Sequence, residues 1–184
     1  MDARELFAER MVTPIGTLVL VTDERQHVRA TDWDDHEPRM RRLMRRRRTD
    51  ALPLRPRDTP SDPFARLAAY FDGDLTAIDG IEVTMSGTPF QEAVWRALRR
   101  IPAGQTMSYG ELARAIEHPT AVRAVGLANG ANPIGIIVPC HRVIGANASL
   151  TGYGGGLDRK RWLLAHEGVR SFQMPLDRLA HDAG

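Results

Sequence analysis

Two apolar runs in the first third of the chain have the composition of β-strands. Residues 17–22 (TLVLVT) follow the turn-forming sequence TPIG, and residues 27–33 (HVRATDW) follow the charged turn DERQ. Strand-like runs separated by a short polar turn predict a β-hairpin. A third run, IEVTM at 81–85, predicts a further strand.

Between these strands the pattern changes to that of helices and loops. PRMRRLMRRRRTD carries seven arginines between positions 39 and 48. It predicts a helix whose charged face is either solvated or in contact with phosphates. Residues 51–63 contain four prolines, which is typical of a linker or a long loop. FARLAAYFDG then predicts a short helix that ends at Gly73.

The second half of the chain opens with three helical segments, TPFQEAVWRALRR, SYGELARAIEHP and TAVRAVGLANGANP. In the first, Thr88 has the position of an N-cap, Pro89 that of the first helical residue and Gln91 that of the capping-box partner. In the second, Ser108 and Glu111 repeat the capping box.

The second and third segments, separated by Pro119, have the spacing of a helix-turn-helix, in which the later helix contacts DNA. Most short helix pairs bind no DNA, so the spacing alone leaves a packing role open. Small side chains recur along the third segment and permit either close approach to a DNA groove or tight helix packing. These positions are Ala121, Ala124, Gly126, Ala128 and Gly130.

Composition excludes several classes of protein. The 184 residues contain one cysteine, which excludes an internal disulfide framework and a zinc site built from several cysteines. We predict no metal and no other cofactor. No apolar run reaches the roughly 20 residues of a transmembrane helix, and the polar, mixed-charge N-terminus is unlike a signal or transit peptide. We therefore expect a cytoplasmic protein.

The charge is unevenly distributed along the chain. The net charge is +2, to which residues 1–86 contribute −2 and residues 87–184 contribute +4. A basic second half is compatible with a polyanionic partner, although a difference of this size is weak evidence. Of the 25 basic residues 24 are arginine, and Lys160 is the single lysine.

The only cysteine lies in IIVPCHRVIG, residues 136–145. A cysteine attacks as the thiolate, so it needs a base or a positive field nearby. His141 follows Cys140, but neighbours in an extended chain point to opposite faces, so contact would need a bridging water or a turn at Pro139. A lone cysteine in an apolar run is more often a small buried hydrophobe. The polar residues that end this run favour a reactive role.

A third candidate lies in LDRKRWLLAHEGV, residues 157–169. This segment predicts a helix that ends at Gly168, with Leu157, Trp162, Leu163 and Ala165 facing inward. Glu167 would sit at the helix C-terminus, where the helix dipole disfavours an anion. Orienting an imidazole is one reason to keep a carboxylate there, and a solvated terminal glutamate is the alternative. Cys140, His141 and Glu167 together would form the acid–base constellation of a thiol nucleophile.

Several motifs, taken in order, resemble those of one family. PCHRVIG, with SYGELA and RAVGLANGANP before it and TGYGGGLDRKRWLLAHEG after it, strongly resembles the O6-alkylguanine-DNA alkyltransferases. The bacterial Ogt-type methylated-DNA–protein-cysteine methyltransferases are the most similar members. The strong match covers residues 88–169, and TPIG, the arginine-rich helix and AYFDG extend it weakly toward the N-terminus.

The resemblance implies an α/β (α+β) fold in two parts. The first is an N-terminal antiparallel sheet with helices, ribonuclease H-like, and the second is a mostly helical C-terminal domain with the helix-turn-helix. We expect the N-terminal domain at 1–86, the DNA-binding and active-site domain at 87–175, and a tail at 176–184.

The resemblance also implies roles for individual residues. Cys140 would accept the alkyl group, and His141 would take the thiol proton through a water. Glu167 would orient His141, and Asn132 would tie the turn before the active-site segment. Tyr109 would rotate the target phosphate and donate a hydrogen bond to the base.

For binding DNA, the resemblance implies that Arg123 fills the base stack when the nucleotide flips out, since a stacked base is inaccessible. The recognition helix would enter the minor groove, and its contacting set would be Ala121, Arg123, Ala124, Gly126, Ala128, Asn129 and Gly130. The pocket for the base would be lined by Pro139, Val143, Tyr153, Gly154 and Gly155, with TGYGGG (151–156) as its lid. GANASL (145–150) departs from the family pattern because it lacks a glycine often found in that turn.

The leading hypothesis is a DNA repair protein, a methylated-DNA–[protein]-cysteine S-methyltransferase. It would flip O6-alkylguanine, and O4-alkylthymine as a second lesion, out of double-stranded DNA and transfer the alkyl group irreversibly to Cys140. Each molecule would act once, as a monomer without membrane association, and cooperative binding along DNA is left open.

Three other classes of function are alternatives to this hypothesis. A non-catalytic sensor of alkyl lesions is the main alternative, but such proteins replace the acceptor cysteine. A regulator fused to a cysteine-rich zinc domain does not fit a chain with one cysteine. A cysteine hydrolase could use the same three residues, and the DNA-binding motif argues against it.

Overall fold

The computed structural model describes residues 5–45 and 53–172. Its strands are β1 (Leu6–Thr13), β2 (Gly16–Asp23), β3 (Val28–Trp33), β4 (Leu54–Pro56), β5 (Met107–Ser108) and β6 (Val143–Ile144). Its α-helices are α1 (Glu37–Arg45), α2 (Asp62–Phe71), α3 (Pro89–Leu98), α4 (Tyr109–Ala115), α5 (Val122–Gly130) and α6 (Leu157–His166). Short 3₁₀ helices cover Asp34–His36, Cys140–Arg142 and Arg170–Phe172. The predicted tail at 176–184 and arginines 46–48 lie outside the described residues.

The predicted hairpin is present and forms part of a four-stranded sheet. β2 pairs antiparallel with both β3 and β1, and the order across the sheet is β3-β2-β1-β4. The sequence pattern does not predict β1, because a buried charge interrupts its apolar residues. That charge is Glu9, whose carboxylate accepts hydrogen bonds from the backbone N–H and the hydroxyl of Ser61.

Two features of the predicted sheet need correction. β4, inside the proline-rich segment, runs parallel to β1, so the sheet is not wholly antiparallel. The strand predicted at 81–85 is wrong, since Val83 forms only an isolated bridge to Val28. The fold class itself, a sheet with helices followed by a mostly helical half, is as predicted.

Both faces of this sheet are covered. On one face α1 packs Met40 and Met44 against Leu6 and Val21, so the arginine-rich helix has a buried apolar side. The opposite face joins a larger core, whose members from the second half include Trp95, Leu98, Val125, Val138 and Leu163. That core contains residues from both predicted domain ranges, and the domain boundaries remain a prediction.

Both predicted capping boxes form in the second half. The Thr88 hydroxyl accepts from the Gln91 N–H while the Gln91 side chain accepts from the Thr88 N–H, and Ser108 and Glu111 repeat the arrangement. The caps fix where α3 and α4 begin. The indole of Trp95 then joins α3 to α5 by donating to an α5 carbonyl at 2.9 Å.

The face that α6 presents to the core matches the prediction only in part: Leu163 is buried as predicted and Trp162 is partly buried against the core. Lys160, Leu163, Leu164 and Glu167 are buried, a stripe at i, i+3, i+4 and i+7, whereas Leu157 is 44% exposed. The prediction was wrong for Leu157, and it omitted Lys160 and Glu167 from the inward face because both positions carry charges. None of the helices within the described ranges is long and apolar enough to cross a membrane.

Candidate active site

Cys140 begins the 3₁₀ turn that ends the apolar run. The preceding Pro139 has φ −80° and ψ 66°, which turns the chain at the position where the sequence suggested a turn. The chain from Cys140 to Arg142 is therefore not extended, so the side chains of Cys140 and His141 are not forced to opposite faces as they would be in a strand.

Cys140 is 7% exposed, and its surroundings act on the thiol in opposite directions. Burial raises the pKa of the Cys140 thiol, while the Asn132 amide and the positive charges of Arg39 and Lys160 lower it. Burial has the larger effect, so the sulfur is held as a thiol at rest. The amide and the two cations favour the thiolate once the proton is removed.

His141 is fully buried and its Nε2 lies 2.9 Å from Glu167 Oε1. The same carboxylate oxygen accepts from the Tyr70 hydroxyl at 2.8 Å and from Arg142 Nη2 at 2.7 Å. Arg142 Nε donates to the other oxygen, Oε2, at 2.9 Å. Three side chains thus converge on one buried carboxylate.

These contacts determine which nitrogen of His141 is free. Burial alone would raise the pKa of Glu167, but His141 and Arg142 outweigh it and hold that pKa well below its usual range. An ionised carboxylate can only accept, so Nε2 carries the hydrogen and Nδ1 of the neutral ring is unprotonated. Nδ1 is buried and has no hydrogen-bond partner within residues 5–45 and 53–172. The site therefore presents one free basic nitrogen next to the cysteine in sequence.

Sequence reasoning missed two members of this cluster. Arg142 is 3% exposed and also donates to the Ile101 carbonyl at 2.5 Å, and its place in PCHR is a signal that could have been used. Tyr70 precedes Glu167 by 97 residues. No local pattern pairs residues that far apart, so only the fold reveals the contact.

Asn132 lies in the turn before the active-site segment. Its Oδ1 accepts from the Ile134 N–H at 3.0 Å and its Nδ2 donates to the Val138 carbonyl at 2.8 Å. Between these two contacts Ile136 has φ +68°, a left-handed conformation that a β-branched residue rarely adopts. Such a conformation persists when its surroundings hold it, and the two bonds of Asn132 brace it from both sides.

A small cavity lies beside Cys140. Its volume is about 10 Å³, room for about one water molecule. The residues that line it are Leu18, Thr31, Asp32, Trp33, Arg39, Asn132, Gly135, Ile136, Cys140, Tyr153, Gly154 and Gly155. Three predicted pocket residues, Tyr153, Gly154 and Gly155, are thus at the cavity. Pro139 and Val143 are buried and do not line it.

The lid lies directly on residues from the first third of the chain. A β-carbon at Gly154 would overlap the Arg39 guanidinium, and one at Gly155 would overlap the Trp33 indole. The rigid indole makes glycine necessary at position 155, whereas a side chain at position 154 would have to displace the flexible end of Arg39. Arg39 also donates to the Gly130 carbonyl at the end of α5 at 2.9 Å. One member of the arginine run therefore contacts the lid, the cavity and α5.

The turn at 145–150 is closed by a backbone hydrogen bond. The Gly145 N–H donates to the Ser149 carbonyl at 2.9 Å and closes the turn. Ala148 takes a left-handed conformation there, with φ +59°. A glycine would adopt this conformation at lower cost.

The predicted DNA-contacting residues of α5 do not all face outward. Exposed or half-buried are Ala121, Arg123, Ala124, Gly126 and Gly130. The prediction of groove contacts is wrong for Ala128 and Asn129, which are 3% and 4% exposed. They face inward, where the Ala128 carbonyl accepts from Trp95 at 2.9 Å and the Asn129 amide donates to the Cys140 carbonyl at 3.4 Å.

Tyr109 is the first residue of α4 and lies between α5 and the lid. A β-carbon at Gly126 would be 3.8 Å from its ring, and its hydroxyl lies 3.5 Å from the Thr151 hydroxyl at the start of the lid. Sequence reasoning omitted Leu127, which is 71% exposed on α5. Leu127 thus lies on the same helix as Arg123 with most of its apolar side chain exposed.

Comparison with known proteins decides the family. Residues 89–169 match the model of the 6-O-methylguanine DNA methyltransferase DNA-binding domain. A methylated-DNA–protein-cysteine methyltransferase of Salmonella typhimurium is 50% identical over 164 residues, covering 89% of this chain and 96% of the relative. The chain belongs to this methyltransferase family.

Solved structures of related methyltransferases agree with this assignment. Mycobacterium tuberculosis OGT in complex with DNA is 43% identical with a TM-score of 0.74, over 94% of this chain and 97% of that one. The O6-methylguanine-DNA methyltransferase of Pyrococcus kodakaraensis is 26% identical with a TM-score of 0.71, over 89% and 99%. The family and the fold class predicted from the motifs are confirmed.

Proposed function

We propose that this methyltransferase transfers the alkyl group from O6 of an alkylated guanine in double-stranded DNA to its own Cys140, once per molecule. Its membership of the family makes it a DNA repair protein that transfers a methyl group to a protein cysteine. The observation that carries the choice of acceptor is the buried His141–Glu167 pair, with its free Nδ1, adjoining the only cysteine of the chain.

The transfer is a single displacement at the alkyl carbon, in which every proton and electron pair has a defined destination. The Cys140 thiol gives its proton through one water to His141 Nδ1, and Glu167 stabilises the imidazolium that forms. The sulfur then attacks the alkyl carbon, the C–O6 bond breaks, and its electron pair stays on O6. Tyr109 donates a proton to the departing guanine anion, and solvent then exchanges protons with Tyr109 and His141. The thioether product is stable, so the cysteine is not regenerated.

The reacting carbon can reach Cys140 only if the nucleotide leaves the duplex, because a stacked base is inaccessible. We expect Arg123, which is exposed on α5, to fill the gap that the base leaves. Ala124 and Gly126 of the same helix have little or no side chain, which allows the helix backbone to approach a minor groove.

The lid must move to admit the base. A cavity of about 10 Å³ has room for about one water and none for a purine. Tyr153, Gly154 and Gly155 line the cavity beside Cys140 and lie directly on Trp33 and Arg39. Displacing this segment would open the space beside the sulfur, and DNA binding supplies the free energy for that displacement.

The chemistry of the transfer bears on the cellular location and the oligomeric state. The reaction needs a free thiol, and a cytoplasmic location keeps thiols reduced. One chain supplies the acceptor, the base and the DNA-binding helix, so a monomer on duplex DNA suffices.

The decisive experiment is peptide mass spectrometry after mixing the protein with one equivalent of duplex that contains O6-methylguanine. We expect one methyl group per molecule, located on the Cys140 peptide, and none in the Cys140→Ala variant. Excess duplex should add no second methyl. Tight binding of the lesion without a mass gain would instead indicate a damage sensor, and neither binding nor mass gain would overturn the proposal altogether.

A further inference from the structure

A tyrosine from the first half of the chain reaches the carboxylate of the active site. Tyr70 lies in the last turn of α2, within the predicted N-terminal range 1–86, and is 0% exposed. Its hydroxyl donates to Glu167 Oε1 at 2.8 Å. A phenylalanine would fill the same apolar space, so packing alone does not require this hydroxyl. The reason for the hydroxyl therefore lies in its effect on Glu167.

The three donors to Glu167 do not hold it in equivalent ways. His141 and Arg142 are neighbours in one 3₁₀ turn, and both contact the carboxylate. A shift of that turn would therefore move both donors together. Of the three, Tyr70 is the donor that belongs to another element, so its hydroxyl holds Oε1 independently of the imidazole.

Contacts with α6 hold Tyr70 at its backbone as well as at its hydroxyl. His166 Nε2 lies 2.8 Å from the Tyr70 carbonyl oxygen and donates to it, since a carbonyl can only accept. The His166 ring stacks on Trp162, with 4.7 Å between the ring centroids, which fixes its direction. His166 and Glu167 are consecutive in the chain. Two neighbouring residues of α6 thus fix where the Tyr70 hydroxyl points.

The other end of α2 is anchored in the sheet. Ser61 is the N-cap of the helix and accepts from the Phe64 N–H. The N–H and the hydroxyl of Ser61 both donate to the buried carboxylate of Glu9 in β1. A buried carboxylate needs such donors, and here they join the helix to the sheet. One helix therefore connects β1 to Glu167.

The Tyr70 hydroxyl acts as a neutral donor. Burial and the negative charge of Glu167 raise the pKa of Tyr70 well above its usual 10.0, so the hydroxyl keeps its proton. A hydrogen bond to the ionised form of a carboxylate favours that form. Because the donor carries no charge, it adds no repulsion against the imidazolium that His141 becomes.

We propose that Tyr70 is a positioning residue for the alkyl transfer, whose hydroxyl holds Oε1 of Glu167 against His141 and so keeps Nδ1 free to take the thiol proton. This inference rests on the proposed function and deepens it by adding a residue of the first half of the chain to the proton transfer. Tyr70 is buried, and it acts through Glu167 without touching the DNA.

The first test compares Tyr70→Phe with His166→Phe in single-turnover methyl transfer from duplex DNA. Each variant removes one 2.8 Å hydrogen bond between α2 and α6, but only the first takes a donor from Glu167. At saturating duplex we expect the rate to fall about tenfold in Tyr70→Phe and to stay unchanged in His166→Phe. The duplex concentration that gives half the maximal rate should be the same in both variants and the wild type. An unchanged rate in Tyr70→Phe, or equal slowing in both variants, would overturn the proposal.

A double-mutant cycle tests whether Tyr70 acts through His141. Residues that act in one network have effects that do not add. We expect Tyr70→Phe to slow His141→Gln no further, because that variant has already lost the base. A general loss of packing would instead slow the transfer by the same factor in either background, and that result would contradict the proposal.

The hydrogen bond also has a spectroscopic readout. In protein labelled with ¹⁵N-histidine, the Nε2–H proton of His141 is the signal that disappears in His141→Gln. We expect this proton to exchange with water faster in Tyr70→Phe than in His166→Phe, because a carboxylate with fewer contacts leaves its hydrogen bonds open more often. Equal exchange in the two variants would overturn the proposal.

The wild type decides if Tyr70→Phe does not fold. The Tyr70 hydroxyl and His141 Nε2–H both donate to Oε1, so their protons should show a nuclear Overhauser effect. Its absence would count against the shared oxygen and sink the proposal.

The two proposals fail separately. Faster exchange of the His141 proton in Tyr70→Phe, without methyl transfer by the wild type, would reject the proposed function and keep the coupling of Tyr70 to His141. Methyl transfer by the wild type at a rate that Tyr70→Phe leaves unchanged would do the reverse.

Discussion

Glu167 is the residue on which the buried hydrogen bonds of the active site converge. It lies at the C-terminal end of α6, where the helix dipole disfavours a negative charge. Its contacts with Tyr70, His141 and Arg142 compensate for that position and for its burial. The unfavourable placement that made Glu167 a candidate in the sequence is thus matched by three donors in the structure.

The environment of His141 predicts how stability depends on pH. Burial, aided by the charges of Arg142 and Lys160 and opposed by Glu167, lowers the pKa of His141 below its usual 6.5. Below pH 6.5 the unfolded chain therefore binds a proton that the folded chain refuses, and the free energy of unfolding falls by up to about 1.4 kcal/mol per pH unit. The pKa of Glu167 is lowered from 4.5, so its contribution is complete above pH 4.5 and is lost only below it.

We expect the free energy of unfolding, measured by urea titration, to fall between pH 7 and pH 5 more steeply in the wild type than in His141→Gln. The difference in slope isolates His141 from the other histidines, which both proteins share. Parallel curves for the two proteins would show that His141 takes up its proton equally well in the folded state.

At the scale of the element, two helices with the same cap provide a matched pair. Ser108 caps α4 immediately before Tyr109, and Thr88 caps α3 at a distance in sequence from every candidate site residue. Alanine at either position removes one cap bond and should cost about 1 kcal/mol of stability. The functional effects should differ, because only α4 begins with a residue of the site.

We expect Ser108→Ala to slow methyl transfer from duplex DNA several-fold, and Thr88→Ala to leave it unchanged. Both rates are measured under single-turnover conditions, at a temperature where circular dichroism shows both variants folded. Equal slowing in the two variants would attribute the effect to lost stability, and no slowing in Ser108→Ala would remove the cap from the positioning of Tyr109.

At the scale of the whole molecule, Arg159 joins α6 to the first third of the chain. Its Nε donates to the Ile15 carbonyl at 2.8 Å, and its two terminal nitrogens each lie 2.9 Å from an Asp35 oxygen. Its guanidinium also lies over the Trp33 ring, 4.5 Å from the centroid. Asp35 is the exposed member of this set, since its side chain is 54% exposed.

Because of this difference, the two partners of the Arg159–Asp35 ion pair should contribute unequally to stability. Asp35→Asn should cost under about 1 kcal/mol, as expected for an exposed ion pair. Arg159→Met should cost about 2 kcal/mol or more, because it also loses the carbonyl bond and the aromatic contact. Urea unfolding of both variants measures the contrast, and equal costs would mean that the ion pair is the only contact of Arg159 that matters.

Local signals predicted those parts of the protein that depend on neighbours in sequence. The caps at Thr88 and Ser108, the hairpin of β2 and β3, and the end of α6 each follow from a few adjacent residues. β1 and the inward face of α6 could not be predicted in this way. Glu9 and Lys160 look like surface residues until Ser61 and the carbonyls of Val143 and Thr151, all distant in sequence, are placed against them.

The sequence by itself determined the family, because PCHRVIG and its flanking motifs stand in a fixed order, and it determined the candidate acceptor, because the chain has one cysteine. Only the tertiary structure decided which groups surround that cysteine. Tyr70 reaches Glu167, Arg39 reaches the lid and Lys160 becomes a buried cation because packing joins segments that are far apart in the chain, 97 residues in the case of Tyr70 and Glu167. Hydrogen bonds and charges act over a few ångströms of space, whatever the separation along the chain.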